Sequence, residues 1–194
     1  MKQYKIFDPR KDIVEAGREL YETGLVVGRT GNISVRLPED RVLITPAGAS
    51  LGYLTDDELA VVAVCGGAVE GEETPSTEYK LHLAIYLIRP DVGAIVHTHP
   101  AYATVVGYLK QKIHDVNPET REVLGKVNLA PALKHGTQEL AVATAKTLGS
   151  NYAVMMEKHG AVTVGINLQE AVDRAHYLEQ AAKLSYLTTL AAKS

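Results

Sequence analysis

The stretch Ala94-Ile95-Val96-His97-Thr98-His99-Pro100 decides how the rest of the chain is read. Three apolar residues run into an alternating histidine pair, and Pro100 stops the run because proline supplies no ladder donor. It reads as a short strand. Alternate side chains of a strand share a face, so His97 and His99 can point the same way, close enough to grip one ion. Taken alone, such a pair is weak evidence for a metal and more often belongs to ordinary surface or core histidines. A catalytic zinc usually takes three protein ligands and keeps one position open. His159, in Lys158-His159-Gly160 between the apolar runs Ala153 to Met156 and Ala161 to Val164, is the best third candidate.

Upstream of this strand, Ser76 is read as the N-cap of a helix to about Arg89, with Leu81, Ala84, Ile85 and Ile88 on one face before Pro90. Free N–H groups and the dipole at such a start favour an anion, and Ser76 and Thr77 add hydroxyl donors. Glu78 there is also readable as a plain first-turn carboxylate. The loops Gly28-Arg29-Thr30-Gly31-Asn32 and Thr45-Pro46-Ala47-Gly48 let backbone approach a ligand closely, or serve as simple turns.

Further out, Asp8-Pro9 caps a first helix carrying Ile13, Ala16, Leu20 and Tyr21 up to Gly24. Ile33 to Leu37 and Arg41 to Thr45 form a hairpin around Pro38-Glu39-Asp40. Leu59 to Val64 is a third strand, followed by an acidic, solvated loop through Gly66-Gly67, Glu70, Glu72 and Glu73. Gln111 to Leu124 has no period and reads as a loop or lid. Asn128 to Ala132 is a strand, Thr137 caps a helix to Leu148 with Gly149 beyond, and Asn167 with Glu170 forms a capping box for a long last helix. That helix is lined by Leu168, Ala171, Ala175, Leu178 and Ala182. Helices thus alternate with strand groups joined too tightly for crossovers. The expected fold is a three-layer α/β/α sandwich with a mostly antiparallel or mixed central sheet, formed by residues 1–194 as one domain.

Composition narrows the function classes. With 194 residues, 46% hydrophobic, and a net charge of -3 without a dense basic run, the chain carries no footprint for nucleic acid or an anionic membrane. MKQYKIFDPRKD has no continuous apolar stretch, so a soluble, cytoplasmic protein is expected. Cys65 is the sole cysteine and is expected as a small buried hydrophobe.

The segments GNISVR (31–36), LITPAG (43–48), PSTEYKLHLAIY (75–86), IVHTHP (95–100) and KHG (158–160), with EQAAKLSYLTTLA in the last helix, resemble the class II aldolase/adducin family along nearly the whole chain. The resemblance implies an α/β/α sandwich assembled as a homotetramer with active sites between subunits, and one zinc per subunit held by His97, His99 and His159. It implies Glu78 as acid/base and as fourth ligand without substrate. Gly31, Asn32, Ala47, Gly48, Ser76 and Thr77 would bind the substrate phosphate. The implied reaction is cleavage of a ketose 1-phosphate, such as L-fuculose 1-phosphate, into dihydroxyacetone phosphate and a short aldehyde. Zinc would stabilise the enediolate, and a desolvated cleft favours a raised pKa for Glu78 once it leaves the metal.

The residues from Lys112 to Leu124 lack the family aldolase's tyrosine, with Asn117 near its place. His114, Asp115 and Glu119 are polar substitutes in that stretch. The alternatives on the same scaffold are a sugar-phosphate 4-epimerase, a methylthioribulose-phosphate dehydratase and a sugar-acid phosphate decarboxylase. A non-catalytic interaction module would lack the histidines, and a lysine-based aldolase would use Lys80 or Lys158.

Overall fold

The computed structural model describes residues 8–66, 69–70, 73–114 and 118–192. Gly67, Glu72, Asp115 and Asn117, named in the expectations above, lie outside them. Helix α1 (Pro9–Glu22) starts as read: the Asp8 carboxylate accepts from the Arg10 N–H, and Pro9 takes a first-turn place where a missing N–H costs nothing. Ile13, Ala16 and Leu20 are fully buried. Strands β1 (Asn32–Leu37) and β2 (Arg41–Ile44) pair antiparallel as a hairpin, with Glu39 and Asp40 both in left-handed backbone.

The remaining strands are β3 (Ala60–Ala63), β4 (Val69–Glu70), β5 (Ala94–Thr98), β6 (Asn128–Ala130), β7 (Ala153–Met156) and β8 (Gly160–Gly165). Among the described residues they form one sheet of order β4-β3-β2-β1-β5-β8-β7-β6. Every neighbouring pair is antiparallel except β6 and β7, which the intervening helix α5 (Gln138–Leu148) allows to run parallel. Alternation along the strands sorts the core into two layers. Val42, Ile44, Ile95, Val154 and Met156 pack with α5 and with α2 (Tyr79–Ile88). Leu43, Ala94, Val96, Ala153 and Met155 face the other way, towards α1, α3 (Ala101–Tyr108), α4 (Pro118–Leu124) and the long α6 (Leu168–Ala191). This is the expected three-layer sandwich with a mixed sheet. Burying each large aliphatic side chain contributes roughly 1.5–3 kcal/mol, so β5, apolar on both faces, is held firmly at the sheet's centre.

Several local expectations are corrected. Ser76 is not the helix cap: α2 begins at Tyr79, and the Ser76 Oγ accepts the Glu78 N–H at 3.2 Å inside a preceding turn. Ile88, placed on the buried face, is 55% exposed. The polar segment read as a loop folds into α4 at its end, with Pro118 as its first residue. Part of the acidic loop is the short edge strand β4. Cys65 is exposed, because it lies in the turn that leaves β3. By contrast, the Thr137 and Asn167 side chains cap α5 and α6 as read, accepting from the Leu140 and Glu170 N–H groups. Among the described residues no helix is long and apolar enough to cross a membrane.

Candidate active site

The sheet's central strand carries the first ligand candidate. His97 in β5 lies opposite Asn32 of β1 on one side and Val162 of β8 on the other, and its side chain is fully buried. Its Nδ1–H donates to the Ala161 carbonyl at 2.9 Å. That bond fixes the tautomer and leaves the Nε2 lone pair to face the site. His99 follows the strand, its N–H donating to the Leu25 carbonyl at 3.1 Å. Just beyond, the Glu179 carboxylate of α6 receives the Tyr102 and Ala103 N–H groups, each at 2.9 Å, and so pins the start of α3 behind His99.

His159 comes from the tight turn between β7 and β8. Lys158 there takes a left-handed backbone, with φ 60°, and the His159 N–H closes the turn on the Met156 carbonyl at 3.1 Å. A side chain at Gly160 would collide with the Thr98 carbonyl, so glycine lets the turn press against the end of β5.

Glu78 enters from the start of α2. Its Oε2 lies 2.9 Å from His97 Nε2 and its Oε1 lies 3.3 Å from His159 Nε2, while His99 Nε2 is 3.0 Å from His97 Nε2. All four potential ligand atoms fall within 4.8 Å of one another. Three ring nitrogens packed this closely repel one another unless a cation or protons lie between them. Tetrahedral zinc, with bonds of about 2.0–2.1 Å, separates its ligand atoms by roughly 3.3 Å, close to the spacings seen. Glu78 Oε1 is buried and has no hydrogen-bond donor. The donor set therefore fits a divalent metal.

Electrostatics agree with that fit. Burial pushes the His99 ring down to about 3, helped by His97 and His159 and opposed by Glu78, so it stays neutral with a lone pair to give. For Glu78, burial disfavours the charge, but His97 and His159 outweigh it and hold the carboxyl well below the ordinary range. An ionised Glu78 is ready to act as a ligand or to accept a proton.

Glu78, His99 and His159 form one wall of a cleft of about 620 Å³, a size suited to a small metabolite, while fully buried His97 is not part of its lining. Gly31, Asn32, Gly48, Ser76 and Thr77 also line it. Two of the loops are stitched together to achieve this: Ser76 N–H donates to the Thr45 carbonyl at 3.0 Å and Ala47 N–H to the Thr74 carbonyl at 2.9 Å. Ala47 itself does not line the cleft, and its N–H is already used. Gly31, at φ 80°, has no room for a side chain because Val26 and the His97 carbonyl close over it.

Sequence reasoning missed other lining residues. Arg29, whose Nη1 donates to the Gly48 carbonyl at 3.0 Å, was legible as the one base in a glycine-bounded loop. Lys134 and His135 also face the cleft, and their Lys-His-Gly sequence repeats the one around His159. Lys158 lines it as well, whereas Lys80 does not; His114 and Glu119 are likewise absent from its walls.

The family described as the Class II Aldolase and Adducin N-terminal domain matches residues 11–186, and the chain belongs to it. It is an enzyme of the class II aldolase kind, whose members are metal-dependent lyases, and the Glu78 and triple-histidine cluster is consistent with such a metal site. L-fuculose phosphate aldolase of Methanocaldococcus jannaschii is 34% identical over 95% of this chain and 99% of its own length. A 3-oxo-tetronate 4-phosphate decarboxylase of Haemophilus influenzae is 36% identical over 90% of this chain and 85% of its own. A solved L-fuculose 1-phosphate aldolase superposes with a TM-score of 0.89 at 34% identity, covering 95% of this chain and 88% of that one.

Proposed function

We propose that the chain is a metal-dependent aldolase that cleaves a ketose 1-phosphate, L-fuculose 1-phosphate or a close analogue, into dihydroxyacetone phosphate and a short aldehyde. The observation that carries this reading is the convergence of Glu78, His97, His99 and His159 within 4.8 Å beside a cleft whose other wall offers hydroxyl, amide and backbone donors. His97, His99 and His159 would hold the ion, with Glu78 as a fourth ligand until substrate arrives. Zinc suits this nitrogen-and-carboxylate set, although manganese, cobalt or iron would also bind such donors. When bound, the metal polarises the substrate carbonyl as a Lewis acid.

The chain's own groups do the rest. The Gly31 and Gly48 loops, the Asn32 amide and the Ser76 and Thr77 hydroxyls hold the phosphate and orient the sugar chain. Ala47 contributes by shaping its loop. Glu78, ionised at rest, takes a proton from the carbon beside the carbonyl in the synthetic direction and returns it on cleavage. The same reading includes a cytoplasmic location and a homotetramer, for which exposed Tyr53, Leu87, Ile88 and Ile166 supply apolar surface.

A decarboxylase reading is favoured by one observation. Lys134, His135 and Lys158 in the cleft wall could receive a substrate carboxylate, and the Haemophilus influenzae relative is a decarboxylase. One assay separates the two. The purified protein is analysed for metal, then offered a panel of ketose 1-phosphates and 3-oxo sugar-acid phosphates before and after chelation. Chelator-sensitive release of dihydroxyacetone phosphate supports the aldolase; carbon dioxide release alone overturns it. Activity untouched by chelation, with borohydride trapping of substrate on a lysine, overturns both.

A further inference from the structure

Behind cleft-lining Asn32 lies a file of buried polar side chains, Ser34, His82 and Tyr86, that the proposed chemistry does not use. Asn32 is 4% exposed, and Ser34, His82 and Tyr86 lie at 0–2%. His82 Nε2 is 2.6 Å from Asn32 Oδ1, and His82 Nδ1 is 2.6 Å from Ser34 Oγ, which is itself 2.9 Å from the Tyr86 hydroxyl. At the front end, Asn32 Nδ2 lies 3.5 Å from Glu78 Oε2. Four polar groups buried in an aliphatic layer are costly unless each is satisfied, and here each is.

The file has only one electrically consistent direction. The Glu78 carboxylate can only accept, so the Asn32 amide must turn its Nδ2 towards it and its Oδ1 away. Asn32 Oδ1 can only accept, so His82 carries its proton on Nε2. A neutral ring then accepts at Nδ1, which makes Ser34 the donor there and the Tyr86 hydroxyl the donor to Ser34. Burial keeps His82 uncharged, with its pKa down to about 3, also lowered by His97 and opposed by Glu78. Burial likewise raises the Tyr86 phenol, which keeps its proton. Were the His82 proton on Nδ1, Asn32 would flip and present a carbonyl oxygen to the carboxylate and to any substrate anion.

We infer that His82 is a positioning residue: as an Nε2–H imidazole backed by Ser34 and Tyr86, it locks the Asn32 amide so that both Nδ2 hydrogens serve Glu78 and the anion-binding side of the cleft. The inference rests on the proposed role of Asn32 at the substrate phosphate. His82 touches neither substrate nor metal and acts only through Asn32.

Two measurements test this. Imidazole nitrogen spectra of the whole protein, with Asn32→Ala and His82→Gln for assignment, should show His82 as a neutral Nε2–H ring at pH 7. A charged ring or an Nδ1–H ring overturns the inference. Calorimetric titration with inorganic phosphate then forms a double-mutant cycle. His82→Leu should weaken phosphate binding about tenfold in the parent and less than twofold in the Asn32→Ala background, and His82→Gln, which keeps a donor to Asn32, should stay within threefold of the parent. Equal losses in both backgrounds, or a glutamine variant as weak as the leucine one, reduce His82 to a packing role and overturn it. If His82→Leu does not fold, Ser34→Ala, which frees the ring to change tautomer, takes its place with the same expected pattern. A parent that binds no phosphate at all counts against the proposed phosphate site, while the imidazole spectrum still decides the orientation of the file.

Discussion

At the scale of single residues, the proposed mechanism divides the work between groups that grip and a group that moves protons. His97 is the best-anchored gripping group, buried and tied to the Ala161 carbonyl, so His97→Ala should lose bound metal and turnover together, measured by elemental analysis and product release. Glu78→Gln keeps the shape and an oxygen ligand but cannot carry the proton. It should retain most of the metal and lose turnover by about 10²–10⁴-fold; a fully active variant would remove Glu78 from the acid/base role. Buried His82 sets a pH dependence of stability. Its folded pKa of about 3 lies below the 6.5 of an unfolded histidine, so the unfolded chain binds more protons between those values. Stability from this group is complete above pH 6.5 and declines as pH falls towards 3, by up to about 1.4 kcal/mol per pH unit. Denaturation midpoints of the chelated protein from pH 7 to 4 should therefore fall less steeply in His82→Gln than in the parent. The alternation of His97 and His99 suggested a ligand pair and His159 a third, but Glu78 read as readily as a first-turn carboxylate, and only the family resemblance joined the four into one site. Asn32, Ser34, His82 and Tyr86 were invisible as a set: His82 and Tyr86, four apart on α2, look like ordinary core positions until the sheet sets Ser34 between them.

At the scale of elements, legibility followed local chemistry. Asp8, Thr137 and Asn167 announced α1, α5 and α6 because a side-chain oxygen that satisfies an end N–H has a recognisable place. The capping box at α6 closes differently from expectation: the Glu170 carboxylate accepts from Ile166 rather than from the cap residue. Helix α3 left no such mark, since Pro100 precedes it and its cap is remote, the Glu179 carboxylate of α6. Its Thr104, Val105 and Val106 also suit strands better than helices. The start of α2 was misplaced because Ser76 makes a cap-like bond one turn early. Loop-to-strand joints carry the tightest tolerance. Gly31→Ala puts a side chain at φ 80° against Val26 and the His97 carbonyl, so it should destabilise by roughly 2–4 kcal/mol and shift the first residues of β1. Chemical denaturation checks the first effect; a loss below about 1 kcal/mol would mean the joint yields more readily than its packing implies.

At the scale of the whole molecule, the sandwich brings six separate segments (29–32, 46–49, 76–78, 97–99, 132–135 and 157–159) together around one cleft at the end of the central strand. The layer order and mixed sheet could be read from the alternation of helices and strands. The parallel pairing of β6 with β7 was within reach, because the order strand, helix, strand from Asn128 to Met156 is that of a crossover unit. In the proposed site, a cation shared by Glu78, β5 and the β7–β8 turn would cross-brace the fold. Binding at a hundredfold excess over Kd adds about 2.7 kcal/mol, which for a chain of this size moves the melting temperature by roughly 5–10 °C. Scanning calorimetry with and without chelator should show that gap, and coincident curves would contradict a structural contribution from the ion. The position of β5 between β1 and β8 also imposes a schedule during synthesis. While the ribosome is still translating the second half, the emerging polypeptide offers an ion only the His97 and His99 pair and Glu78. The full cage can close only after β8 (Gly160–Gly165) has cleared the exit tunnel, so firm capture of a metal would wait for that strand.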